Sequence, residues 1–167
     1  MVPLQKTITK SLIAFACFVC LGCGPTIPSP YLEALKEGSD FELSSIDPGN
    51  PVANAHMGTM GAYPKLGSVR PSTSEQRESI IRAIERSVRE SSSGSFGCFE
   101  PRHAIRVKHK GTTYDFMICF KCRAIWIYDG DEQLETIGIS GAAEPTLDEI
   151  LRSASVPLAP KPPKSKR

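Results

Sequence analysis

The sequence predicts an α+β fold, in which a small antiparallel β-meander of three to four strands is covered by one longer and one short helix. Three observations lead to this prediction. Short runs of alternating apolar residues mark closely spaced strands between residues 104 and 139. A segment with a helical apolar stripe precedes these strands, and a shorter helical segment follows them. The chain has 167 residues, which is room for one domain of ordinary size.

Residues 1–22 have the pattern of a lipoprotein-type signal peptide. Two lysines precede an uncharged apolar run, and Gly22 stands immediately before Cys23. The apolar run is about half the ~20 residues that a membrane-spanning helix needs. The pattern resembles the lipobox of bacterial lipoproteins, in which the cysteine after the cleavage site is lipidated, although Cys20 occupies a position where leucine is usual. Simple secretion is the alternative.

A lipid on Cys23 would hold the protein at a membrane face, because two or more acyl chains make anchoring stable. We therefore expect a cell-envelope protein that is membrane-anchored and faces the periplasm or the exterior. The sequence does not distinguish the inner from the outer membrane. Residues 23–43 would form the anchor and linker, residues 44–156 a single α+β domain, and residues 157–167 a disordered basic tail rich in proline and lysine.

The first regular element of the predicted domain is the longer helix. Residues 44–73 are rich in Pro, Gly, Ser and Asn and show no sustained period, which predicts an irregular segment. Ser72 and Glu75 then have the spacing of a capping box. A serine-rich run from residue 91 to residue 95 predicts the helix end. The apolar stripe of this helix consists of Ile80, Ile81, Ile84 and Val88.

Four strands and the short helix are predicted after it. In the second strand, Tyr114, Phe116 and Ile118 alternate with less apolar residues, which is typical of a strand buried on one face. Thr146 and Glu149 have the spacing of another capping box, which predicts a helix to about residue 154. The predicted strands are residues 104–108, 112–119, 123–128 and 134–139.

The charge distribution argues against one class of partner. The signal segment contains two lysines and no acid, so its removal cancels the formal charge of +2. Four of the remaining basic residues lie in the last seven positions, which leaves a mildly acidic body. Because nucleic-acid binding needs a basic face, we expect no nucleic-acid partner. The expected partners are the membrane, through the lipid anchor, and an envelope protein or cell-wall component. The sequence does not define the oligomeric state.

Three cysteines remain after processing and lipidation: Cys98, Cys119 and Cys122. Cys119 and Cys122 form a CxxC pair in the predicted turn between the second and third strands. A hairpin of the first two strands would bring Cys98 or His103 beside Cys119. Tetrahedral zinc accepts three thiolates and one imidazole. Cys98, His103, Cys119 and Cys122 are therefore a candidate metal site, with zinc as the candidate ion and no cofactor assigned as certain.

Other interpretations of these cysteines stay open. In an oxidising compartment, Cys98 could form a disulfide with one member of the pair and leave a spare thiol. Cys119 and Cys122 could also be the redox pair of a thiol–disulfide oxidoreductase, although such pairs usually lie at a helix N-terminus. The thiols could also be merely buried. The sequence contains no nucleophile-elbow, P-loop or Rossmann motif, and we assign no catalytic residue. Asp115 is expected to be solvated or paired with Arg102 or Arg106.

Two motifs carry a resemblance to a group of bacterial proteins. The stretch from Cys98 to Arg106 reads CFEPRHAIR, and the stretch from Tyr114 to Cys122 reads YDFMICFKC. Both resemble the CFxPRHxIR and DxxICFxC motifs of uncharacterised bacterial lipoproteins and exported proteins, over roughly residues 60–161. The resemblance supports treating the cysteines and His103 as one unit, and it implies no activity. The sequence as a whole favours a small binding or structural module over an enzyme.

Overall fold

A six-stranded antiparallel sheet and three helices make up the described part of this computed structural model, which covers residues 24–92 and 99–160. The elements are α1 (Ser29–Glu37), β1 (Ser39–Ile46), β2 (Lys65–Val69), α2 (Ser74–Arg89), β3 (His103–His109), β4 (Thr112–Cys119), β5 (Ala124–Asp129), β6 (Glu132–Gly138) and α3 (Glu144–Ser153). The strand order is β2-β1-β3-β4-β5-β6. The α+β class is confirmed, whereas the predicted number of three to four strands is too low.

The two strands that the sequence did not predict are β1 and β2. In the sheet, β1 lies between β2 and β3, and Leu43 pairs with Val69 on one side and with Ile105 on the other. The alternation of apolar residues in β1 is broken by Ser44 and Ser45, both fully buried. These serines are buried only because neighbouring elements cover them, so the local sequence pattern gives no strand signal. α1 and the start of β1 fall within the range assigned to the anchor and linker.

The helix starts differ from the predicted caps by one to three residues. The N-cap of α2 is Thr73, whose hydroxyl accepts the backbone N–H of Gln76 at 3.2 Å. Gln76 in turn accepts the N–H of Ser72 at 3.0 Å, so a glutamine takes the part expected of a glutamate. The N-cap of α3 is Ala143, three residues before the predicted cap Thr146. A proline in its first turn suits this start, because its missing N–H is not needed there.

Residues from all three helices join one face of the sheet in the main apolar core. This core contains the predicted stripe of α2, because Ile80 and Ile84 are almost completely buried. Helix α1 contributes Leu35 to this core, and helix α3 contributes Leu147. Burial of this apolar surface is the dominant stabilising contribution. The main strand residues of this core are Leu43, Ile105, Val107, Phe116, Ile118, Ile125, Ile127 and Ile137.

The opposite face is covered in part by the segment from residue 47 to residue 64, which leads from β1 to β2. Met60 and Tyr63 of this segment belong to a second apolar cluster with Met117 of β4 and Tyr128 of β5. Strand β4 is therefore buried on both faces in its second half, whereas the sequence predicted burial on one face. Gly58 in this segment has a φ of +100° and lies against Tyr128. No helix within the described ranges combines the length and apolar character of a membrane span.

Candidate functional site

Two of the predicted site residues meet in the turn between β4 and β5. Cys119 ends β4, Cys122 lies two residues before β5, and the two are joined as a disulfide. The backbone N–H of Cys122 donates to Sγ of Cys119 at 3.1 Å. Arg123, directly after the second cysteine, has a φ of +55°, which lets the chain turn back into β5. Both cysteines are buried, with exposed fractions of 0 and 3%.

His103 lies on the other side of the sheet from this pair. It is in register with Ile118, whose side chain is part of the core under the helices. Cys119 follows Ile118 along β4, and successive side chains of a strand point to opposite faces. His103 is buried, and its Nε2 lies 2.9 Å from Oδ1 of Asp148 in α3. The predicted hairpin of β3 and β4 forms. Because side chains alternate between faces along β4, the imidazole of His103 and the sulfur of Cys119 lie on opposite faces of the sheet.

The other predicted positions fall outside the described residues. Cys98 and Cys23 lie in ranges of which the structure describes nothing. Within residues 24–92 and 99–160, no cluster of three or more His, Cys, Asp or Glu side chains is arranged to hold a metal ion. The structure thus joins Cys119 to Cys122 and places His103 elsewhere. The zinc site with Cys98 stays a prediction.

Several buried polar side chains surround His103, and no motif in the sequence indicates that they come together. Asp148 is buried and also accepts a hydrogen bond from Arg152 at 3.1 Å, one turn later on α3. Ser45 of β1 is in register with His103, and Ser45 Oγ and His103 Nδ1 have no hydrogen-bond partner among the described atoms. Ser45 and His103 are 0 and 3% exposed. Through the contact between His103 and Asp148, this buried group connects α3 to the sheet.

The pairing expected of Asp115 is confirmed. Arg106 of β3 lies opposite Asp115 of β4, and its guanidinium donates to both carboxylate oxygens at 2.6 Å. The hydrogen bonds that the Arg106 guanidinium donates to Asp115 are the main cause of its raised pKa. Such a two-point pair is a stable cross-strand contact. Asp115 is thus occupied by a structural partner.

A groove of about 840 Å³ opens between α1, β1 and α2. Its walls are the end of α1 at Lys36, the start of β1 at residues 39–41, and the first half of α2 with the segment before it, residues 70–85. We call it the α1–α2 groove. The apolar part of its lining includes Phe41 and Ile81. This size and mixed lining are typical of ligand-binding sites in proteins.

Most charged side chains of the α1–α2 groove neutralise one another. The lining contains four cations and three acids, and each acid lies near one of the cations. These pairs are exposed and contribute little to stability. The pairs are Lys36–Glu85 at 3.6 Å, Arg70–Asp40 at 3.5 Å and Arg82–Glu78 at 2.8 Å.

Arg77 is the groove cation that has no acidic partner within the described ranges. Its Nε donates to the carbonyl oxygen of Leu35 at 2.9 Å, and its guanidinium carbon lies 4.8 Å from the centre of the Phe41 ring. Burial lowers the pKa of Arg77. This is the direction expected when a cation loses water without gaining a nearby negative charge. An anion that entered the groove would meet this uncompensated charge.

The strand that borders the groove has a free edge. β1 pairs with β2 only from Leu43 to Ile46, whereas on its other side it pairs with β3 from Ser39 onward. Residues 39–42 therefore have no strand neighbour on the β2 side within the described residues. Asp40 in this stretch has a φ of +54°, and the pairing with β3 is irregular between Ser39 and Glu42, so residues 39–42 do not form a regular extended edge. No sequence motif marks this site, because its walls come from separate segments of the chain.

Comparison of the chain with protein-family models, curated proteins and solved structures finds no match. The geometry described above is therefore the basis for any functional conclusion.

Proposed function

We propose that this protein is a lipid-anchored binding module of the cell envelope and that its ligand occupies the α1–α2 groove. The observation that carries the proposal is the groove itself, which combines an apolar lining with one unneutralised cation, Arg77. Two buried titratable residues elsewhere have structural partners: His103 binds Asp148, and Asp115 binds Arg106. These pairings support a binding role over a catalytic one.

The proposed anchor is a lipid on Cys23, followed by a short linker to α1. Replacing Cys23 with alanine should move the protein from the membrane fraction to the soluble fraction and remove the lipid mass from its N-terminal peptide. Cys20→Ala is the matched control and should leave both unchanged. Membrane retention of the Cys23→Ala protein without a lipid would contradict the anchor.

Hydrogen exchange tests the binding role while the ligand is still unidentified. The lipidated protein is compared in vesicles of its own membrane and after purification in detergent. We expect slower exchange in the vesicles at residues 39–42 and 72–82, which line the groove, because a bound ligand restricts their opening. Strand β6, at the opposite edge of the sheet, serves as the internal control. Equal exchange at the groove in both samples would refute the proposal.

Metal binding at the turn between β4 and β5 is a second candidate function. The observation that favours it is the convergence of Cys119 and Cys122, with a backbone N–H already bonded to one sulfur. In the reduced state, these residues would present two thiolates to one ion, and N–H donors stabilise thiolate charge. Cys98 stays the predicted third ligand, whereas His103 lies on the other face of the sheet and is not placed to become the fourth.

Elemental analysis of anaerobically purified protein tests this second function. Zinc near one equivalent per chain, lost in the Cys119→Ser/Cys122→Ser variant, would support it. Less than ~0.1 equivalent would refute it. Thiol–disulfide exchange, the alternative use of the pair, needs a sulfur that a partner thiol can attack. The burial of both cysteines is why we rank that activity lower.

A further inference from the structure

The chain between the proposed lipid and the folded domain is very short. Ile27 is the first described residue with a buried side chain, and it belongs to the core under the helices. Cys23 stands four positions before it in the sequence. Even fully extended, four residues span at most about 14 Å. We infer that this short connection holds the surface around the start of α1 against the headgroups of the bilayer. The inference rests on the proposed lipid at Cys23 and goes beyond it by naming the face that meets the membrane.

Contacts between α1, β4 and the turn before β4 form this surface. Pro28 is the N-cap of α1, and its carbonyl accepts the backbone N–H of Tyr31 at 3.1 Å, so Tyr31 lies in the first turn. The Tyr31 ring lies edge-on to Tyr114 of β4, with ring centres 5.8 Å apart. Lys110, in the turn between β3 and β4, donates to Glu33 of α1 at 3.1 Å. We call this the anchor-side surface, and it consists of Tyr31, Leu32, Glu33, Lys110 and Tyr114.

The opposite face of the sheet carries the rival surface for membrane contact. Its covering segment, residues 47–64, contains two exposed apolar side chains, Val52 and Met57, which are 48 and 55% exposed. Ile27 belongs to the core on the helix-covered face. Packed layers of secondary structure lie about 10 Å apart, so the helix layer and the sheet separate the anchor from Val52 and Met57. A connection of about 14 Å does not reach around both layers.

The side chains of the anchor-side surface suit the headgroup region of a bilayer. Tyr31, Leu32 and Tyr114 pack against the core and are only partly buried, which leaves part of each side chain exposed. Tyrosine is favoured at membrane interfaces, because its ring is apolar and its hydroxyl can form hydrogen bonds. The short connection therefore brings suitable side chains to the lipid.

The charges around this surface select zwitterionic over anionic lipid. Glu33 pairs with Lys110, and this hydrogen bond is the main cause of the lowered pKa of Glu33. His109 also acts on Glu33, whereas Glu135 of β6 adds a second acid near Tyr31. Attraction to anionic lipid needs an excess of Lys and Arg, which these groups do not provide. The inferred partner is a zwitterionic phospholipid surface.

Paramagnetic broadening in nanodiscs tests the inference on the full-length lipidated protein. The discs contain phosphatidylcholine and a small share of lipid with a nitroxide on its headgroup, and NMR measures the intensity of each backbone amide. We expect amides of residues 31–34 and 110–114 to lose about half or more of their intensity, because the connection of about 14 Å keeps them near the headgroups. Amides of residues 52–57 are the internal control and should change little. Equal or stronger broadening at residues 52–57 would overturn the inference.

A longer connection tests the physical cause. Eight Gly and Ser residues inserted after Gly24 raise its fully extended reach to about 40 Å. The insertion precedes the first buried side chain, so it should leave the fold intact. Broadening at the anchor-side surface should fall about twofold or more. The same insertion after Lys161, in the C-terminal tail, is the matched control and should change nothing. Unchanged broadening with the longer connection would show that the short connection does not hold the surface at the membrane.

Lipid composition tests the choice of partner. Replacing part of the phosphatidylcholine with phosphatidylglycerol should leave the broadening unchanged. A rise of more than about twofold would overturn the assignment to zwitterionic headgroups.

The anchor and this inference can fail separately. If mass spectrometry finds no lipid on Cys23, both are wrong. If the lipid is present and residues 52–57 broaden as strongly as the anchor-side surface, the anchor stands and the inference is wrong. The binding role of the α1–α2 groove is tested by hydrogen exchange and depends on neither result.

Discussion

Reduction of the Cys119–Cys122 disulfide should lower the free energy of unfolding by about 2 kcal/mol. The bond joins residues three apart in the sequence. It therefore closes a very short ring, for which the loop-entropy relation gives about 2 kcal/mol, compared with about 3 kcal/mol for a fifteen-residue loop. For a domain of this size, the loss corresponds to a fall in Tm of roughly 6–10 °C. The bond is a modest local restraint, and the apolar core provides most of the stability.

Urea unfolding followed by circular dichroism, with and without reductant, measures this loss. The measurement is made in a Cys98→Ser background, so that no third thiol can exchange with the pair. The control is the same background with Cys119→Ser and Cys122→Ser, in which reductant should have no effect. A loss below about 0.5 kcal/mol would refute the reasoning from loop entropy.

The same unfolding experiment distinguishes two roles of Cys119 and Cys122: a disulfide that only stabilises the fold, and a pair of thiolates that binds metal. Zinc added to the reduced wild-type chain should raise its stability by about 2.7 kcal/mol at a hundredfold excess over Kd, if the thiolates bind it. The oxidised chain should not respond, because its sulfurs are bonded to each other. If added zinc raised the stability of the reduced and the oxidised chain equally, the zinc would bind at a site other than Cys119 and Cys122.

Three further predictions follow from single contacts. Gly58→Ala should destabilise the fold by about 1–3 kcal/mol, because alanine disfavours a φ of +100° and its Cβ would collide with the second apolar cluster. Asp148→Asn should cost about 1–3 kcal/mol, since it removes the charged partner of buried His103. Both losses are read from urea unfolding. Burial raises the pKa of Glu42, but hydrogen bonds and charge from Lys65, with smaller contributions from Ser44 and Arg70, together outweigh burial and lower this pKa from its ordinary value. Lys65→Met should therefore raise it in an NMR titration.

Glu42 also predicts how stability depends on pH. A carboxyl whose pKa is lower in the folded than in the unfolded protein contributes stability above its unfolded pKa. That stability is lost as the pH falls from about 4.5 through the lowered folded value. The Lys65→Met variant should lose less stability over this interval than the wild type. An equal loss in both proteins would show that Lys65 does not hold Glu42 ionised.

Matched variants control for the two stability predictions. Gly61→Ala, at a glycine of the same segment where an added Cβ would meet only Thr59 Oγ1 at 4.0 Å, should change stability by less than about 0.5 kcal/mol. Glu149→Gln, next to Asp148 but exposed, should be similarly neutral. If Gly61→Ala is as damaging as Gly58→Ala, the loss does not come from the positive φ or from the close contact.

The elements that could be predicted are those whose signal is local. The stripe of α2 repeats at helical spacing within one segment, and the alternation of Phe116 and Ile118 needs only β4 itself. β1 escaped prediction because Ser44 and Ser45 occupy positions that other elements bury. Strand β2 is short and contains a glycine, so it has little intrinsic strand preference.

The candidate sites, like the secondary-structure elements, could be predicted only where their residues are close together in the sequence. The meeting of Cys119 and Cys122 could be predicted, since the two lie three residues apart in one turn. The side of the sheet on which His103 lies follows from side-chain alternation only when the register of His103 with Ile118 is known. The groove around Arg77 could not be found from the sequence, because no local pattern shows which cations acquire acidic partners.

The sequence by itself determined the α+β class, the helix α2, the strands from β3 to β6 and the cysteine turn. Those features depend on residues that are near one another along the chain. Only the tertiary structure decided that β1 and β2 extend the sheet, that a loop covers part of its second face, and that Arg77 lines a groove with no acidic partner of its own among the described residues. These depend on pairing and charge neutralisation between distant segments, which no single stretch of sequence encodes.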